Sequence, residues 1–166
     1  MTPKRQLAVT EQNRLRAVFD TNVVVAAIKS RSATSPNAEL LRRWQNEEFE
    51  LLYSLDLLSE YAEKLWTRRG DPDRVDRFLA DLLAVGTPIQ VEPDTIKPLI
   101  AADPDDDLVI ACAVAGRATH LVTYDPHFAC LGQQHRGIAI VDGLHFLYAV
   151  RDSANLTDGR IGRRRS

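Results

Sequence analysis

The chain is poor in sulfur, with one methionine and two cysteines, Cys112 and Cys130. Two thiols far apart in sequence cannot build a disulfide framework. They make no short-spaced Cys pair, and His120, His127, His135 and His145 include no i, i+4 pair, so the usual zinc patterns are absent. The histidines therefore read as structural or exposed. No apolar run approaches the roughly 18 residues of a membrane span, and Met1 to Arg14 has no apolar centre of the secretion-signal kind. A cytoplasmic protein without a membrane partner is the expectation. There is no Gly-x-Ser-x-Gly for a nucleophilic serine and no Gly-x-x-x-x-Gly-Lys for a phosphate loop. A surplus of positive charge is missing too: the net charge is −2, so the molecule as a whole is not drawn to nucleic acid.

What is present describes one soluble globular domain. The 166 residues suffice for a single sizeable core, and 45% hydrophobic with 27% charged residues is an ordinary balance. Residues 1–14 lack periodicity and read as a disordered arm, residues 15–150 as the domain, and residues 151–166 as a flexible basic tail ending in Arg163-Arg164-Arg165. Between these limits apolar strand-like runs alternate with amphipathic segments. The strands are expected near Ala17-Val18-Phe19, Phe49 to Tyr53, Pro88 to Val91, His120 to Val122 and Gly137 to Val141. A last helix is expected from about Asp142 to Val150. Such alternation implies a mostly parallel sheet with helices on both sides, a three-layer α/β/α sandwich.

Acids punctuate this pattern at one end of the predicted sheet. Asp20 ends the first strand and Asp125 the fourth, while Asp106 starts a helix and Glu60 lies early in another. The carboxyl edge of a parallel sheet is where ligands bind. Local explanations compete: Asp20 or Asn22 can cap the next helix, and Glu60 can pair with Lys64 at i+4. Acids in a first helical turn are favoured by its free N–H groups, but that accounts for one or two of the four in Asp103-Pro104-Asp105-Asp106-Asp107. Crowded like charges call for protons or a cation. Carboxylate oxygens suit a hard ion, Mg2+ or Mn2+, which serves phosphodiester hydrolysis. Asp20, Glu60, Asp106 and Asp125 are the expected ligands and catalytic groups, with Asn22 and Thr123 orienting ligands or water. Lys29, Arg31, Arg42 and Arg43 stand near the same edge as candidate contacts to a nucleic-acid backbone.

Four segments in order carry a family resemblance: Val18-Phe19-Asp20-Thr21-Asn22, Ser54-x-x-Leu57-Leu58-x-Glu60-Tyr61, Asp103-Pro104-x-Asp106-Asp107 and Leu121-Val122-Thr123-x-Asp125. They resemble the PIN-domain ribonucleases, specifically the VapC-like toxins of bacterial toxin–antitoxin pairs. The resemblance spans about Arg16 to Val150. It implies the α/β/α fold, Mg2+- or Mn2+-dependent cleavage of single-stranded or structured RNA, a homodimer, and a cognate antitoxin protein. Asp20, Glu60, Asp106 and Asp125 match the four acids in turn. Asp107 competes with Asp106 for the third place, and Asp103 is placed to hold a water beyond the metal. Many members have glycine where this chain has Tyr124. Two other readings are a binding module that grips RNA through the metal without cutting it, and an aspartyl-nucleophile phosphatase. The latter needs a second acid two residues after the first, where this chain has Asn22.

Overall fold

A strand covered by helices on both faces must be apolar throughout, and Ala17, Val18 and Phe19 of β1 (Arg16–Phe19) are fully buried. The computed structural model describes residues 14–162. The arm expected over residues 1–14 therefore falls outside the described residues apart from Arg14, as do Arg163, Arg164 and Arg165.

Strand β1 pairs in parallel with β2 (Glu50–Tyr53) on one side and β4 (His120–Val122) on the other. Beyond β2 lies β3 (Thr87–Pro88), and beyond β4 lies β6 (Ile138–Val141), both also parallel. The sixth strand, β5 (Gln134–His135), pairs antiparallel with β6, giving the order β3-β2-β1-β4-β6-β5. Sequence order runs outward from β1 through β2 and β3 on one side and through β4 and β6 on the other, where β5 folds back onto the edge. The carboxyl ends of β1 and β4 thus flank the point where strand order reverses, the place in an open α/β sheet where a crevice forms.

Helices complete the α/β/α layers. Helix α1 (Thr21–Lys29) buries Val23, Val24, Val25, Ala27 and Ile28. Helix α2 (Pro36–Gln45) starts with proline, which fits the first helical turn, and buries Leu40, Leu41 and Trp44. Helix α3 (Leu55–Thr67) is capped by Ser54, whose Oγ accepts from the Leu57 N–H at 3.3 Å. Its buried Tyr61 donates a hydrogen bond to the Phe19 carbonyl, which holds α3 across the end of β1. Helices α4 (Pro72–Val85), α5 (Pro104–Ala115) and α6 (Gly143–Gly162) follow, and α5 packs against β1, β2 and β4. Phe19, Phe49 and Phe146 meet at centroid distances of 5.0 to 5.9 Å in the centre of the core.

Three local expectations are corrected. The strand expected over Pro88 to Val91 is only Thr87–Pro88, because its partner β2 ends at Tyr53, whose carbonyl takes the last bond from the Ile89 N–H at 2.7 Å. Strand β5 was not anticipated: two residues are too few for an alternating pattern, and it is built by the turn at Arg136 and Gly137, whose φ values of 50° and 78° suit a tight hairpin. The helix expected to end at Val150 continues to Gly162, so residues 151–162 are helical rather than a flexible tail. Arg151 anchors that extension to α2 through Glu39, with Nη2 at 2.7 Å from Oε2. Among the described residues no helix is long and apolar enough to cross a membrane.

Candidate active site

The segments leaving β1 and β4 are joined where they leave. The Asp20 N–H donates to the Val122 carbonyl at 2.9 Å, and the Thr123 N–H to the Val141 carbonyl at 2.9 Å. Side chains repeat the connection. Thr123, itself buried, donates its hydroxyl to Asp20 Oδ2 at 2.8 Å and accepts from the Asp125 N–H at 3.0 Å. One hydroxyl thereby sets Asp20 against Asp125, although 105 positions separate the two acids in sequence.

Asp20 serves two purposes at once. Its Oδ1 accepts from the Thr21 N–H at 2.8 Å, so it caps α1, while its other oxygen belongs to the site. With both oxygens engaged and an exposed Asn22 two residues on, the chain has no second acid of the kind an aspartyl-phosphate mechanism uses.

Asp106 and Asp107 are adjacent and both buried, yet the helix turns them to different tasks. Asp107 Oδ1 accepts from the Leu99 and Ile100 N–H groups at 2.9 and 2.8 Å, tying the connector before α5 to the helix. Asp106 faces the sheet edge. Together with Asp125 and His127 it forms a group whose ligand atoms lie within 4.8 Å of one another. His127 Nδ1 lies 3.4 Å from Asp106 Oδ2 and 3.2 Å from Asp125 Oδ1. Asp103 caps α5 by accepting from the Asp105 N–H at 3.0 Å. Asp20 and Glu60 stand at the same edge but outside the close group of three.

His127 is the residue that sequence reasoning set aside. It is largely exposed, as expected of the histidines, but the turn Asp125-Pro126-His127 folds it back over its own capping acid, whose Oδ1 accepts from the His127 N–H at 2.9 Å. An acid that caps a turn two residues before a histidine was the available signal. Among the candidate cations, Arg43 is occupied by Glu39 and Glu48 at 2.9 and 2.7 Å.

The electrostatics of this edge are those of uncompensated negative charge. Burial raises the Asp106 carboxyl to about 6, with Asp20, Asp125 and Asp103 adding to the rise and His127 opposing it. Burial also raises Asp20, against the hydrogen bonds from Thr123 and Thr21. Glu60 is raised by burial, then by Asp105 and Asp20. The Thr21 hydroxyl is near enough to temper that rise but not in hydrogen-bonding geometry. Glu60 Oε2 and Thr21 Oγ1 are both buried without a hydrogen-bond partner. Buried polar atoms are nearly always paired. Orphaned oxygens beside crowded carboxylates fit a cation, and the donor set, mainly carboxylate oxygen with one imidazole, fits a divalent one.

The sequence model of the PIN domain matches residues 16–127. The chain belongs to the PIN-domain family. The matched stretch holds Asp20, Glu60, Asp106, Asp125 and His127. Among solved structures, this PIN domain is similar to the crystal structure of VapBC2 from Rickettsia felis bound to a DNA fragment from their promoter. The TM-score is 0.54 at 16% identity, over 76% of this chain and 97% of that one. At such identity the likeness is one of fold. A search of curated proteins finds no match.

Proposed function

We propose that this PIN domain is a divalent-metal-dependent endoribonuclease that hydrolyses phosphodiester bonds of single-stranded RNA, and that it is the toxin of a toxin–antitoxin pair. The observation that carries the reading is the meeting of Asp106, Asp125 and His127 at the switch point, with Asp20 tied to Asp125 through Thr123. Family membership supports the nuclease class, and the VapBC2 structure of like fold supports an antitoxin partner. A cytoplasmic homodimer is part of the same reading.

In this mechanism Asp20, Glu60, Asp106 and Asp125 would hold Mg2+ or Mn2+, joined by His127. When bound, the ion polarises the phosphoryl oxygen and renders water a better nucleophile. Thr123 keeps Asp20 and Asp125 at a constant separation, so the ligands need not reorganise when the substrate arrives. Asp107 holds the first turn of α5, and with it Asp106, against the connector. Glu60, whose carboxyl is raised by burial, accepts the proton of the attacking water, and the displaced ribose oxygen takes a proton from solvent as the phosphodiester bond breaks. Asn22, exposed at the start of α1, orients substrate or water in this reading.

The test is a mixed single-stranded RNA pool incubated with Mg2+, Mn2+ or chelator, beside the Asp20→Asn/Asp106→Asn double variant. Cleavage that requires the metal and vanishes in the variant is the expected result. RNA that is bound in the presence of metal yet remains whole would replace the nuclease by a binding module. Co-purification with a small DNA-binding protein encoded beside this chain tests the toxin assignment.

A further inference from the structure

Between Thr123 and Asp125 stands a residue that the acid cluster does not use. The Tyr124 hydroxyl donates to Oδ1 of the buried Asn37 at 2.8 Å. A Cβ on Gly143, at the start of α6, would overlap both Asn37 Oδ1 and the Tyr124 hydroxyl, so a side chain there would displace this pair. Three segments, α2, the β4 loop and α6, thus clamp the polar tip of this tyrosine. With its tip enclosed, Tyr124 is nevertheless 46% exposed, so what faces solvent is aromatic ring held in one orientation.

Tyr124 lines a groove of about 330 Å3, which Asp125 also lines. Small-ligand pockets run upward from roughly 300 Å3. Phe128 and Ile140 supply apolar lining, and Gln133 and Asp142 polar groups. The groove and the candidate active site therefore share Asp125 and the loop that carries it. Two carboxylates among its lining groups repel an anionic phosphate, whereas a neutral planar ring meets a fixed aromatic face at little entropic cost. A strand whose phosphate lies at the acids carries its adjoining base within a few ångströms.

We infer that this groove is a base-binding subsite, in which the nucleobase next to the cleaved phosphate stacks on Tyr124. The inference rests on the nuclease reading above and names how its substrate strand is held. Stacking on an aromatic face tolerates sequence, because every base has a π face. Tyr124 is in this account a substrate-binding residue.

The experiment is a cycle between Tyr124 and the base. Single-stranded RNA oligonucleotides with one abasic position moved along the strand are presented to wild type, Tyr124→Leu and Tyr124→Phe. Cleavage is followed with Mn2+, and binding by fluorescence anisotropy with Ca2+ as the cation. In wild type, base removal at one position beside the cleaved bond should lower kcat/KM and affinity roughly tenfold, the scale of one base–aromatic stack. Tyr124→Leu should show that loss already on intact RNA and no further loss at the abasic position. Tyr124→Phe keeps the ring and loses only the hydroxyl that fixes it, so it should retain a loss on base removal with a starting affinity between those of wild type and Tyr124→Leu, an outcome that a merely structural role would not produce. Cleavage with no coupling between ring and base would overturn the subsite and leave the nuclease standing. Binding with coupling but without cleavage would do the reverse. RNA neither bound nor cut would remove both.

Discussion

Replacing Asp106 with asparagine should make the metal-free protein more stable while abolishing its response to metal. The side chain keeps its shape and loses a charge that the fold disfavours. Burial and neighbouring acids raise the carboxyl from 3.8 to about 6, roughly two pH units at 1.36 kcal/mol each. Above neutrality this is a cost of about 3 kcal/mol as an upper limit. Charges at the rim of the sheet are partly screened and asparagine alters the hydrogen bond with His127, so about 1–2 kcal/mol is the expected gain. In a protein of this size that raises Tm by about 2–8 °C. The sign depends on pH. A carboxyl whose pKa is higher folded than unfolded contributes stability that is fully present below about 4 and lost as pH rises through about 6. The wild type and Asp106→Asn should therefore melt together near pH 4 and diverge toward pH 7.5, with the variant higher. Calorimetric or fluorescence melts in chelator across that range measure the gap. Adding Mn2+ at pH 7.5 should then raise the wild-type Tm and leave the variant unmoved. A variant that melts at or below wild type at pH 7.5, or a gap that persists at pH 4, would refute the electrostatic account.

Other substitutions separate the remaining groups. Thr123→Val keeps the shape but leaves Asp20 Oδ2 and the Asp125 N–H without their shared partner; it should cost about 1–3 kcal/mol in denaturant unfolding and weaken Mn2+ binding in titration calorimetry by about 10- to 100-fold. Asp107→Ala removes acceptance from two backbone N–H groups, so a loss of about 2–4 kcal/mol and faster hydrogen exchange at Leu99 and Ile100 are expected, with Mn2+ binding retained. Loss of metal binding comparable to that of Asp106→Asn would assign Asp107 to the site instead. Gly143→Ala should destabilise by about 1–3 kcal/mol through overlap with Asn37 and Tyr124, and less in a Tyr124→Phe background, as a double-mutant cycle of thermal melts would show.

Local chemistry made much of the fold readable. β1 could be read because three consecutive apolar residues end at an acid, and α2, α4 and α5 because proline and a capping residue mark their starts. The alternation of strand and helix then required parallel pairing, which put Asp20 and Asp125 at one edge. Length of α6 was not readable, since the contact that steadies its extension pairs Arg151 with Glu39, 112 positions away. Nor was β5, which depends on two positive φ values rather than on a hydrophobic period.

The sequence by itself determined which residue types reach the carboxyl edge, because strand ends and helix starts are set by hydrophobic period, proline and capping groups a few residues apart. Tertiary structure decided what each of them does there. Asp106 and Asp107 are chemically identical neighbours, and only the rotation of α5 against β1, β2 and β4 turns one to the acid cluster and the other to the connector. His127 joins the cluster because a turn folds back on its own cap, and Thr123 links Asp20 to Asp125 because β1 and β4 are neighbours in the sheet. Such assignments depend on distances of about 3 Å between groups far apart in the chain, which one-dimensional patterns do not encode.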